Sequence, residues 1–163
     1  MQSIDGLISR LHELANEFST GERPTFHQGA SSDDISALRA IAAAEVPEDF
    51  TYFLSQCDSI VAMDIWNGYW IGGVERLLRI IAGKDFPSEV SERNNPVSVI
   101  PVATDGGGNA FLLSLNGDKV WKWNHETGDA ILVANGFSSF LARIAEDWEH
   151  FLSDDRTWRY LSG

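Results

Sequence analysis

Apolar residues recur along this chain with two different periods, and the switch between them separates helical flanks from a strand-rich middle. Ile4, Leu7, Ile8, Leu11, Leu14, Ala15 and Phe18 follow the i, i+3, i+4, i+7 spacing of a single helical face. That spacing predicts a first helix over about 3–18, with Ser3 available as its N-cap. Gly21 and Pro24 interrupt the pattern, so 25–30 reads as a connecting loop. Ser31 and Asp34 then stand at capping-box spacing ahead of a second helix that carries Ile35, Leu38, Ile41 and Ala42. Pro47 suits the first turn of a third, short helix, where its missing N–H costs nothing, and its apolar face is Phe50, Phe53, Leu54 and Cys57.

The period then shortens. Residues 60–66 and 69–71 flank Asn67-Gly68, the strongest short-range signal for a two-residue hairpin. A helix over 74–82 follows, with Gly83 as its C-cap, and the polar run 84–96, which contains Pro87 and Pro96, reads as a surface loop. Segments 97–102 and 110–115 are strand-like and are joined through Asp105, Gly106, Gly107, Gly108 and Asn109, a structural turn that places a hairpin at the centre of a sheet. The triplet lacks the lysine and following helix of a phosphate loop and the alternating carboxylates of a calcium loop. Turns at 116–118 and 125–129 deliver strands 119–123 and 130–134, with Val120 facing away from Trp121 and Trp123. Phe137, Phe140, Leu141, Ile144, Ala145, Trp148, Phe151 and Leu152 trace one face of a long last helix, capped by Ser138, and put Trp148 in the core. The fold class is therefore α+β. A single domain over 1–163 is expected, with a mostly antiparallel sheet and the first and last helices packed together on it.

Composition narrows function more than fold. With 163 residues, 44% hydrophobic and 22% charged, the chain suits one soluble globular unit. No window approaches a bilayer-spanning length, and the N-terminus lacks a basic signal-peptide start, so a cytoplasmic location is expected. A net charge of −12 repels nucleic acid and anionic membrane and favours a basic protein partner. Cys57, as the one cysteine, forms no intrachain disulfide, and His12, His27, His125 and His150 are too scattered for a zinc motif, so neither metal nor cofactor is expected. Pairing Cys57 with His125 as a nucleophilic site is disfavoured by the apolar setting of the cysteine. The acid pairs Asp33-Asp34, Glu48-Asp49 and Asp154-Asp155 sit at helix ends, where the dipole explains them. The expectation is a protein without enzymatic activity. A small hydrolase or ligand-binding domain is the rival, which a deep cleft with convergent polar groups would favour.

Aromatic residues dominate binding hot spots, so Asp64, Trp66, Tyr69 and Trp70 around the first hairpin are the candidate partner-binding residues. Periodicity alone leaves Trp66, Trp70, Trp121 and Trp123 undecided between core and interface, and it leaves the oligomeric state open.

The order of these segments resembles the SMI1/KNR4 family of the SUKH superfamily. The likeness rests on Pro47-Glu48-Asp49-Phe50 opening a short helix, the hairpin over 66–73, Ile100-Pro101-Val102-Ala103 with 105–111, and the strand-to-helix junction at 133–141, together spanning about 28–152. Two departures from the family pattern are Cys57-Asp58-Ser59, where a glycine is common, and a third glycine in the central turn. Bacterial proteins of this kind are mostly immunity proteins that neutralise a cognate toxin, frequently a nuclease, and fungal relatives regulate cell-wall synthesis. The resemblance thus implies a protein binder whose partner is a basic toxin domain, with an intracellular regulatory scaffold as the alternative.

Overall fold

The computed structural model describes residues 2–42, 44–158 and 161. Helix α1 (Ile4–Glu17) begins at Ser3, whose hydroxyl accepts a hydrogen bond from the Gly6 N–H, and it buries Leu7, Leu11 and Leu14. Strand β1 (Thr25–Gln28) follows where the sequence reads as a loop. Only Phe26 in it is apolar, so the strand has no alternation of its own; pairing with a neighbouring strand, together with the stack of Phe26 on His12 at 3.7 Å, holds it extended. Helix α2 (Ser32–Ala42) has the anticipated capping box: Asp34 N–H donates to Ser31 Oγ at 3.1 Å, and Ser31 N–H donates back to the Asp34 carboxylate at 3.3 Å. Helix α3 (Glu48–Gln56) starts one residue later than anticipated, with Pro47 as its N-cap.

Cys57 is not on the face of α3. It ends the helix and opens strand β2 (Cys57–Ala62), which pairs antiparallel with β3 (Tyr69–Gly72) in the register Ala62↔Tyr69. The connection at 63–68 is therefore longer than the two-residue turn predicted at Asn67-Gly68. Ile65 is fully buried and Trp66 packs edge-on against Phe151, so burial of these two side chains draws the loop inward and sets its length. Helix α4 (Val74–Ala82) ends at Gly83. Within the segment assigned as loop lies strand β4 (Glu89–Glu92), paired with the start of β5 (Asn95–Asp105) through Arg93-Asn94. Both turn residues have positive φ, 49° and 66°, the geometry of a tight two-residue hairpin, so such a turn exists in this chain but not where the Asn-Gly signal pointed.

Strands β6 (Ala110–Ser114), β7 (Val120–Trp123) and β8 (Ala130–Ala134) complete the meander, and Pro101 sits where the β5–β6 register shifts, a position that tolerates its missing N–H. Among the described residues the antiparallel sheet runs β1-β2-β3-β5-β6-β7-β8, with β4 added beside β5. Helix α5 (Phe137–Leu152) is capped by Gly136 at φ 90° rather than by Ser138, whose hydroxyl instead lies 3.4 Å from the Asp49 carboxylate. Helices α1 and α5 pack together, and the helices cover the sheet face that carries Ile60, Ile71, Phe111, Leu113 and Val120. The opposite face holds a smaller cluster of Val90, Val99, Ala110, Leu112 and Trp121, flanked by Phe86 and Trp123, with no helical residue in it. Among the described residues no helix is long and apolar enough to cross a membrane.

Candidate functional site

Antiparallel pairing brings four connections to one end of the sheet: the segment leading into β1, the β2–β3 loop, the β5–β6 turn and the β7–β8 turn. Their exposed acids are Glu22, Asp64, Glu126 and Asp129, against Arg23 as the basic side chain other than His125. The loops are tied to one another. Asp64, exposed, accepts a hydrogen bond from the Glu22 N–H at 2.5 Å, and Gly106 N–H donates to the Asn67 carbonyl at 2.9 Å. A Cβ on Gly106 would collide with that carbonyl, which is why the turn needs glycine there. Asp105 Oδ1 accepts from the Gly107 and Asn109 N–H groups, each at 2.9 Å, while Oδ2 accepts from Asn109 Nδ2 at 3.0 Å. Asn109 Oδ1 in turn accepts from the His125 N–H at 3.2 Å, fastening the next turn.

The four candidate residues of the first hairpin do different work. Asp64 faces solvent, whereas Tyr69 is 1% exposed and donates its hydroxyl to Asp147 Oδ2 at 2.6 Å, so it can act only from beneath the surface. Trp66 is half-buried and donates Nε1 to the Asp147 carbonyl at 3.0 Å. Trp70 is half-buried on the opposite sheet face, with the Arg76 guanidinium 4.6 Å above its ring. Trp121 belongs to the second-face core and Trp123 lies at its rim. Met63, 49% exposed, was missed from the sequence because it carries no motif.

Asp147 is the buried residue that organises this end, and its role was also missed. It is fully buried on α5, its second carboxylate oxygen accepts from Trp158 Nε1 at 2.5 Å, and burial pushes its pKa up to about 7 against the opposing pull of that hydrogen bond, Arg143 and His150. A usable signal existed: position 147 stands at i+3 from Ile144 and i−4 from Phe151, within the helix's apolar stripe.

Elsewhere several polar groups are paired for structure. A groove of about 830 Å³ between α2 and α3 is open to solvent, and there Arg39 bonds Thr51, while Tyr52 bonds Asp5. Cys57 and His125 lie at opposite ends of the sheet, and burial pushes the Cys57 thiol up to about 11, far from a reactive thiolate. His27 Nδ1 lies 2.8 Å from Ser59 Oγ across β1 and β2. Among the described residues no cluster of three or more His, Cys, Asp or Glu side chains is arranged to hold a metal ion.

The family model of the SMI1 / KNR4 family (SUKH-1) matches residues 29–143, well over half the chain. The chain belongs to the SMI1 / KNR4 family. A relative, the SPbeta prophage-derived uncharacterized protein YokK of Bacillus subtilis (strain 168), is 30% identical over 56 residues, covering 32% of this chain and 29% of that protein. The match thus spans less than a third of the relative's length. In this SMI1 / KNR4 chain the family segment contains β2 through β8, but it ends before Asp147 and Trp158. The buried carboxyl therefore joins Trp66 and Tyr69, inside that segment, to side chains outside it.

Proposed function

We propose that this SMI1 / KNR4 chain is a non-enzymatic immunity protein that binds and neutralises a basic toxin domain, docking it on the acidic loop end of the sheet. The observation that carries this reading is the gathering of Glu22, Asp64, Glu126 and Asp129 on mutually hydrogen-bonded loops, beside Trp66 and Trp70. A rigid scaffold presenting such loops is a common arrangement for recognition, and a surface of one sign steers an oppositely charged partner. Asp64, Trp66 and Trp70 would touch the partner, with Tyr69 holding the β2–β3 loop from below. The family membership supports protein binding, and the net charge of −12 supports a basic partner.

The test is a pull-down against the product of the adjacent gene, followed by rescue of its toxicity. Replacing Glu22, Asp64, Glu126 and Asp129 together with lysine should slow association at low salt by about tenfold or more and flatten its salt dependence. Unchanged association kinetics in a folded variant would remove this surface from the proposal. Absence of any toxic partner would return weight to a regulatory scaffold.

A further inference from the structure

The edges of the sheet are finished differently. Strand β1 at one end is polar except for Phe26, and the additional edge strand β4 carries Glu89 and Glu92. Strand β8 at the other end reads Ala-Ile-Leu-Val-Ala, with no charge and no proline, and among the described residues no strand pairs beyond it. Charges, prolines or a covering segment are the usual devices that keep an edge from pairing with another chain, and β8 has neither of the first two. Its register shift against β7 falls at Val133, which leaves 129–132 as a regular stretch. Ile131 is 39% exposed and Leu132 is 50% exposed, although successive residues of a strand point to opposite faces. The register agrees: Ile131 stands opposite Lys122, which pairs with Phe111 of the helix-covered core, whereas Leu132 stands opposite Trp121 of the second-face cluster. A partner laid on one face would leave one of the two side chains in water, while a strand added in the plane of the sheet covers both.

We propose that β8 pairs antiparallel with β8 of a second copy of this chain, about a two-fold axis at Ile131, giving a homodimer with one continuous sheet. The fit of β8 to itself selects a second copy. Asn124 N–H donates to the Asp129 carbonyl, so 129 and 131 turn their backbone polar groups toward β7, and Ala130 and Leu132 turn theirs outward. With Ile131 opposite its own counterpart, Ala130 of each copy exchanges backbone hydrogen bonds with Leu132 of the other, and the large leucine covers the small alanine. Asp129 then falls beside Val133 of the other copy on the helix-covered face, where Arg143 of α5 lines a surface hollow with Val133, Ala134 and Ser139. The Asp129 carboxylate is exposed, and Arg143, apart from its pull on Asp147, forms no ion pair among the described residues. The two-fold therefore brings opposite charges together twice. A five-residue strand buries far less than the roughly 1,600 Å² of a standard interface, so a dissociation constant of about 10–100 µM is expected. Each edge is used once, and assembly closes at two. The dimer does not depend on the immunity reading.

The experiment is sedimentation velocity of the full chain from about 2 µM to about 500 µM at physiological salt, where repulsion between two chains of charge −12 is screened beyond about 8 Å. Amide hydrogen exchange at both ends of that range, read residue by residue, accompanies it. The sedimenting species should pass from monomer to dimer, and the Ala130 and Leu132 amides should exchange about threefold or more slowly at the higher concentration. Leu132→Lys, which puts a charge on the edge at an exposed position, should hold the chain monomeric throughout. Asp129→Arg should weaken pairing at least fivefold, and adding Arg143→Asp should recover it, with circular dichroism checking that both variants fold. A wild type that stays monomeric at about 500 µM, a dimer in which the Ala130 and Leu132 amides are not slowed, or a dimer that survives Leu132→Lys overturns the assignment. Species larger than a dimer, or a folded charge swap that recovers nothing, overturns the two-fold register. The exchange measurement needs only the wild type, so it decides the matter even where a variant fails to fold.

Discussion

Replacing Asp147 with asparagine tests whether a buried carboxyl governs the stability of the loop end. Burial raises its pKa from 3.8 to about 7. Between those values the native state keeps a proton that the unfolded chain has released, so stability falls as pH rises through this window. The contribution is complete below about pH 3.8 and gone above about pH 7. At about 1.4 kcal/mol per unit, the shift corresponds to a ceiling of roughly 4 kcal/mol. Asparagine cannot ionise, but its Oδ1 can still accept from Trp158 Nε1, and its Nδ2 can donate to the Tyr69 hydroxyl, so the variant should fold. Urea unfolding of both proteins from pH 4.5 to pH 8 provides the assay, and subtracting one from the other cancels the remaining titrations. The wild type should lose about 2–4 kcal/mol relative to Asp147→Asn across that range. A difference constant to within about 0.5 kcal/mol, or a wild type that gains stability relative to Asp147→Asn with rising pH, would refute the reasoning.

Gly106→Ala should destabilise the chain by about 1–3 kcal/mol in denaturant unfolding, because a Cβ there meets the Asn67 carbonyl and must push the β5–β6 turn off the β2–β3 loop. Ser31→Ala removes the acceptor for the Asp34 N–H and should cost about 1 kcal/mol, measured the same way. Cys57, buried with its thiol pushed up to about 11, should resist alkylation at pH 8 until denaturant is added; rapid native-state labelling would contradict its burial.

The residues of the candidate site were partly legible in the sequence. Asp64, Trp66 and Trp70 stand out by residue type, and the Asp105 to Asn109 turn by its glycines, because turn chemistry and interface preference are local properties. Tyr69 is aromatic as well, but its hydroxyl points into the core toward Asp147, a direction that depends on a helix far along the chain. The apolar stripe of α5 marks Asp147 as buried, but the donors that give it a role, Trp158 and Tyr69, meet it only in the fold.

The helices, the central hairpin and the meander were determined by the sequence itself: their periodicity extends over enough residues to bury a continuous face, and their caps lie within a few residues of the turns they serve. Tertiary structure decided the short elements. Strands β1 and β4 carry one apolar residue each, Phe26 and Val90, too few to show alternation, and they exist because β2 and β5 offer edges for pairing. The Asn67-Gly68 turn lost its predicted register to Ile65 and Trp66, whose burial outweighs a local turn preference. Only the assembled fold brings Thr104 to the Arg76 guanidinium that lies over Trp70, because that contact joins α4 to a strand 28 residues further along the chain.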